Sequence, residues 1–148
     1  MPKIITAKSP YLHQNGPIYS VVIKPSSVTI RALHLEKKDV PFIKIRALID
    51  TGAQTTAISQ KIVDTLRLIP RGTAKIYTSQ SSKIVNEYDV ALEFDTDAYI
   101  DTLRVVGADL QDHSIDCLIG RDVLQYGVFI YNGPKQEFKL SFGSIVDQ

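Results

Sequence analysis

The apolar residues of this chain come in short runs that alternate with polar ones and are cut off every few positions by Gly, Pro, Asn or Ser. The run "VPFIKIRALID" is the clearest: Ile43, Ile45, Ala47 and Ile49 alternate with Lys44, Arg46 and Leu48. A period of two fits a strand with one buried face and does not fit a helix. Tyr88, Val90, Leu92 and Phe94 repeat the pattern. "PIYSVVIKP" and "VTIRALHL", rich in β-branched residues and separated by Pro25-Ser26-Ser27, read as two more strands, and "YIDTLRVVGAD" and "SIDCLIG" as a further pair. "KIYTSQSSKIV" reads as a hairpin with a polar tip, and "VFIYNGPKQEFKLSF" as a hairpin around Asn132-Gly133.

Two segments break the period. "SQKIVDTLRL" puts Ile58, Ile62, Val63 and Leu66 on one helical face, with Ser59 placed to cap it and Pro70 and Gly72 beyond its end. "RDVLQYG" reads as a short helical turn ended by Gly127. Many short strands with one or two small helices predict an all-β, barrel-like domain. The 148 residues suffice for one core, and no linker or solenoid-type repeat divides them. Residues 1–17, with Pro2, Pro10, Gly16 and Pro17, read as an extension or a loose first strand.

Charge and cysteine usage narrow the function. The net charge is +1 and the longest basic run is Lys37-Lys38, which argues against nucleic acid or an anionic membrane as the main partner. The single cysteine, Cys117, cannot form an internal disulfide, and His13, His34 and His113 do not cluster with it, so no metal centre is expected. No apolar run approaches membrane-spanning length, and "MPKIITAKSPYLHQNGP" lacks the apolar core of a signal peptide, so a cytoplasmic location is expected. Cys117 in its apolar strand reads as a small core residue, and the neighbours Asp112, His113 and Ser114 do not make a Ser-His-Asp set, because sequence neighbours on a loop point apart.

The alternating run at 43–49 ends abruptly in Asp50-Thr51-Gly52. Asp and Gly are turn formers, so a plain strand-end turn is one reading. The other is that the strand delivers a carboxylate. Asp50 supplies it, Thr51 offers a hydroxyl to lock the loop, and Gly52 lets main chain approach without a Cβ in the way. Ala53 keeps the next position small, and Thr55 and Thr56 suit an irregular loop. Downstream, "CLIGRD" repeats the theme, with Leu118-Ile119 running into Gly120 and a short helix.

"ALIDTGAQTTAIS" together with "CLIGRDVL" resembles the retropepsins, the retroviral-type aspartic proteases. The likeness is greatest to the retropepsin-like domains of eukaryotic DNA-damage-inducible shuttle proteins and to small bacterial aspartyl proteases. It covers roughly residues 40–142. It implies an all-β, closed barrel or sandwich protomer with one or two short helices, active as a homodimer. Residues 36–148 would form the domain, and residues 1–35 an N-terminal extension with one or two peripheral strands.

Chemistry requires two chains independently. Hydrolysis of a peptide without metal or covalent nucleophile needs one ionised carboxylate to take a proton from water and one protonated carboxyl to polarise the scissile carbonyl. Only one Asp-Thr-Gly is present; "DTL" at 64–66 and 101–103 and "DTD" at 95–97 lack the glycine. Asp50 must therefore meet Asp50 of a second chain across a two-fold axis, where like charges share one proton and titrate as a unit.

The resemblance assigns the rest. Asp50 is catalytic, and Thr51 and Gly52 support its loop, Thr51 by gripping the partner chain. Gly52, Ala53, Gln54, Tyr77, Thr78, Ser79, Gln80 and Ser81 are the substrate-binding set, the last five in a flap that folds over bound peptide. Retroviral flap tips are glycine-rich, whereas this one is Ser, Gln and Thr. Gly120, Arg121 and Asp122 are structural. Many retroviral members pair the arginine with an acid four places after the catalytic Asp. Gln54 stands there in this chain, leaving Arg121 a backbone carbonyl or Asp122. Leu48, Ile76, Ile84 and Ile119 suggest pockets for apolar side chains of an extended peptide. No cofactor is implied. Retroviral members build part of the dimer contact from terminal strands; "FKLSFGSIVDQ" or the N-terminal extension could serve. A catalytically silent peptide-binding or assembly module is the second reading, because fold alone does not fix function.

Overall fold

The computed structural model describes residues 3–77, 79–95, 98–110 and 114–143. In chain order the elements are β1 (Lys3–Lys8), α1 (Leu12–Asn15), β2 (Ile18–Pro25), α2 (Ser27–Leu35), β3 (Ile43–Ile49), β4 (Ala57–Ile58) and α3 (Gln60–Leu66). There follow β5 (Gly72–Tyr77), β6 (Ser82–Asp95), β7 (Ala98–Gly107), β8 (Cys117–Ile119), α4 (Arg121–Leu124), β9 (Gly127–Asn132) and β10 (Glu137–Phe142).

Six strands close on themselves in the order β2-β3-β8-β4-β7-β6, with β6 returning to β2, and β5 extends β6 outside the ring. Alternation builds the inner wall: Val21 and Ile23 from β2, Ile45, Ala47 and Ile49 from β3, and Val90 and Leu92 from β6 are all buried. Side chains of this size contribute about 1.5–3 kcal/mol each when taken out of water. The long strand β6 serves three partners, pairing β5 at its start, β7 along its length and β2 through Val22–Pro25. Register shifts after Val90 and Glu93 let it bend. A second sheet, in the order β1-β10-β9, packs Ile5, Phe138 and Leu140 against the same core.

Three features differ from the reading of the sequence. "VTIRALHL" is helical, not extended: the Ser26 hydroxyl caps the helix by accepting from the Thr29 backbone N–H. None of the residues of α2 is buried, so its β-branched residues have no sheet to join. Four short helices stand among the described residues where one or two were expected, α1 and α2 being the additions. Finally, β2 holds a place in the barrel wall between β3 and β6, not on its periphery.

Helix α3 buries Ile62, Val63 and Leu66, whereas Ile58, read from the sequence on the same helical face, belongs to strand β4 before the helix starts. It stops before Pro70, at Arg67, which takes a left-handed conformation with φ of 54°. Ser59 occupies the cap position without a capping bond, and its hydroxyl turns to the Asp116 carboxylate at 3.4 Å.

Candidate active site

Strand β8 lies between β3 and β4, parallel to the first and antiparallel to the second. Ile49 stands beside Ile119, and one residue further on the Asp50 backbone N–H donates to the Ile119 carbonyl at 2.9 Å. The two apolar ends thus fix where the chain leaves the barrel, and Asp50 is the first residue outside. Its carboxylate Oδ1 accepts from the Gly52 N–H at 2.9 Å, and its carbonyl accepts from the Ala53 N–H at 3.2 Å. A Cβ on Gly52 would stand 3.1 Å from Oδ1, crowding the carboxylate. Asp50 is half-buried, while Thr51 and Gly52 face solvent.

The downstream motif clamps this loop. The Arg121 and Asp122 backbone N–H groups donate to the carbonyls of Ala53 and Gln54, at 2.8 and 3.2 Å. The Arg121 guanidinium donates to the Thr51 carbonyl at 2.7 Å, so of its two candidate partners the backbone carbonyl is the one it meets. A Cβ on Gly120 would lie 2.8 Å from the Thr55 carbonyl carbon and 3.0 Å from the Ala53 oxygen, so only glycine fits. Thr56 is buried and completes the clamp: its N–H and hydroxyl donate to the two oxygens of Asp122, at 2.9 and 2.7 Å. The Thr56 hydroxyl in turn accepts from the Gly120 N–H at 3.1 Å. Asp122 also accepts from the Val123 N–H in the first turn of α4.

Sequence reasoning saw Thr56 only as a loop residue. Nothing local signals its role, because its partner lies 66 positions away.

The remaining candidates sit elsewhere. Tyr77 pairs with Ser82 at the end of the β5–β6 hairpin and is 75% exposed, its ring 5.7 Å from the Lys75 ammonium. Ser79, Gln80 and Ser81 form the tip beyond it; Thr78 lies outside the described residues, as do Asp112 and His113. Ile84 is exposed on the same hairpin, whereas Ile119 is fully buried in the core. Two cavities, of about 530 and about 520 Å³, open on the surface, and Asp50 lines neither. The larger lies between the base of the hairpin, the start of α3 and residues 107–110. Burial pushes the Cys117 thiol well up from its usual range, with Asp122 and Asp116 adding to the shift, which makes it unreactive. Among the described residues no group of three His, Cys, Asp or Glu side chains is placed to hold a metal ion.

Barrel, Asp50 loop and clamp together define a retropepsin-like fold. The chain belongs to the family described as "gag-polyprotein putative aspartyl protease", whose model matches residues 39–126. The fold is similar to that of EIAV protease, solved in complex with the inhibitor HBY-793. That likeness has a TM-score of 0.50 and 18% identity, over 79% of this chain and 92% of that one. A retropepsin-like aspartic protease from Rickettsia conorii also aligns, with a TM-score of 0.49 and 15% identity, over 85% of this chain and 93% of that one. No curated protein sequence matches.

Proposed function

We propose that the protein is an aspartic endopeptidase whose active site is completed by a second copy of the chain. Asp50 supports this most directly: it stands at the mouth of the barrel in a loop bonded at Thr51, Ala53, Gln54 and Thr56 by the Gly120-Arg121-Asp122 segment. A loop so fixed presents its carboxylate at low reorganisation cost, as catalysis by preorganised groups requires. Two such carboxylates across a two-fold axis share one proton. The ionised one takes a proton from water, the water attacks the scissile carbonyl, and the protonated one donates to the developing oxyanion. The β5–β6 hairpin is the flap, with Tyr77 and the polar tip Ser79 to Ser81 over an extended, largely apolar peptide.

The polar, glycine-free tip favours one second reading, a silent peptide-binding dimer in which Asp50 serves only as a turn residue. Cleavage of a complex peptide library separates the two. Wild type and Asp50→Asn are incubated from about pH 4 to about pH 8, the range in which carboxylate pairs titrate, and products are read by mass spectrometry. Cleavage by wild type alone supports the enzyme. Absence of cleavage by a folded, dimeric wild type favours the silent module.

A further inference from the structure

The β5–β6 hairpin is a cantilever. Among the described residues β5 pairs with β6 and no other strand, and residues 82–86 of β6 pair with β5 alone. The barrel takes hold only at Glu87, which stands between Gly72 of β5 and Val106 of β7. Beyond that root the chain projects on a two-stranded stem, a form that is marginally stable without help.

Four charged side chains meet on one face of the root. Asp89 is shared by two of them: Arg104, directly opposite on β7, donates from Nε to one carboxylate oxygen, and Arg71, the residue before β5, brings its Nε to 3.5 Å from the other. Arg104 also reaches Glu87, with Nη1 at 3.8 Å from Oε1, and the Arg71 backbone N–H donates to the Glu87 carbonyl at 2.7 Å. An isolated surface ion pair contributes little. Here the Asp89 side chain is only 19% exposed and holds two guanidiniums at once, so solvent screens it less. The opposite face of the root is apolar and hollow. Tyr88 and Val90, which alternate with Glu87 and Asp89, are buried, and the larger cavity, about 530 Å³, opens beside Tyr88 between residues 83–86 and 107–110. The stem thus has space on one side and an ionic fastening on the other.

We infer that Arg71, Asp89 and Arg104 are positioning residues, an ionic clasp that fastens β5 to the barrel through β6 and so holds the hairpin in its seat. This rests on the reading of that hairpin as a flap, and names what governs its seating. Loss of the shared carboxylate does more than delete two contacts, because two guanidiniums remain together with only Glu87 to balance them. Their repulsion loosens β5 from Gly72 outward and frees the hairpin without touching Asp50.

Amide exchange and steady-state peptide cleavage by the full chain test this. Asp89→Asn removes the charge at nearly constant size, Asp89→Glu keeps it, and Arg71→Gln cuts the side-chain link next to β5. The clasp predicts exchange about 10-fold faster at residues 72–77 and 82–87 in Asp89→Asn and Arg71→Gln, little change in Asp89→Glu, and none in β3. KM should rise about 5-fold or more in the first two, with kcat within about twofold of wild type. Wild type gives a reading that needs no variant: exchange at the same hairpin residues quickens as NaCl rises from about 0.05 M to about 1 M, and exchange in β3 does not. Hairpin exchange indifferent to both NaCl and Asp89→Asn overturns the clasp and leaves the flap reading standing. Exchange quickened equally in β3 also overturns it, since the loss is then one of general stability. A hairpin loosened with KM and kcat unchanged overturns the flap reading and leaves the clasp. A wild type that cleaves nothing overturns the enzyme reading, and exchange alone then decides the clasp.

Discussion

Thr56 and Asp122, 66 positions apart, are joined twice: the Thr56 N–H and hydroxyl donate to the two oxygens of one carboxylate, at 2.9 and 2.7 Å. The pair ties the loop that carries Asp50 to the helix that follows β8, and the Thr56 hydroxyl carries the tie on to the Gly120 N–H. Asp122→Ala leaves the buried N–H and hydroxyl of Thr56 without an acceptor, at an expected cost of about 3 kcal/mol. Asp122→Asn keeps one acceptor and should cost roughly half as much. Urea denaturation of the three proteins checks the order; equal stability for wild type and Asp122→Ala would refute it.

Gly120→Ala should act through the same loop by sterics. Its Cβ has no room, because the neighbour at 2.8 Å is backbone of Thr55 and cannot swing aside. A destabilisation of about 2 kcal/mol or more is expected, together with loss of cleavage as the Asp50 loop is displaced. Thermal unfolding beside the peptide assay measures both; an unchanged melting temperature contradicts the clash.

Asp50→Asn should separate stability from activity. An amide oxygen can still accept from Gly52 N–H as the carboxylate does, so stability should stay within about 1 kcal/mol of wild type. Cleavage should fall by about 10³-fold or more, since neither general base nor shared proton remains. Residual activity near wild type would move catalysis away from Asp50.

The pH–rate profile of the proposed dimer should be bell-shaped. At the acidic limit both carboxyls are protonated and no base remains; at the alkaline limit both are ionised and no acid remains. Cleavage that keeps one rate across the acidic and alkaline limbs would exclude a pair sharing one proton.

Cys117 gives a stability prediction whose sign follows from burial. Its thiol stays protonated in the native barrel well above the point, about pH 8.5, where an unfolded thiol ionises. The native state then binds more protons than the unfolded one, so its stability falls as pH rises, by up to about 1.4 kcal/mol per unit. Below about pH 8.5 the contribution is fully present. The advantage of wild type over Cys117→Ala should therefore shrink between about pH 9 and pH 10, as read from denaturant midpoints. A constant difference would mean that the native thiol is not held neutral.

Strands with one buried face were legible because burial imposes a period of two: Ile43 to Ile49 and Tyr88 to Phe94 could be read directly, and so could the turn at Asn132-Gly133. α2 was not, because it buries nothing and so carries no helical stripe. Its start is set by the Ser26 cap, which the run Val28-Thr29-Ile30 disguises as strand. The turn at Asp50 and Gly52 was legible because its residues are local turn formers, whereas the demand for glycine at 120 comes from Ala53 and Thr55, far along the chain. The Thr56–Asp122 tie was not legible either, because it exists only once β8 has slipped between β3 and β4. The position of β2 was hidden for the same reason: its apolar alternation predicts a strand, but its neighbours β3 and β6 are chosen by tertiary pairing.

The stretch that carries the family signature, residues 39–126, leaves out β2. Removing that stave would open the cask along β3 and β6, each then offering a raw margin of backbone to any passing chain. Phe138 and Leu140, which plug the core from β10, would be missing as well. A fragment trimmed to its recognisable part should therefore precipitate instead of folding. The hallmark residues travel as a motif, but autonomy belongs to the longer chain that encloses them.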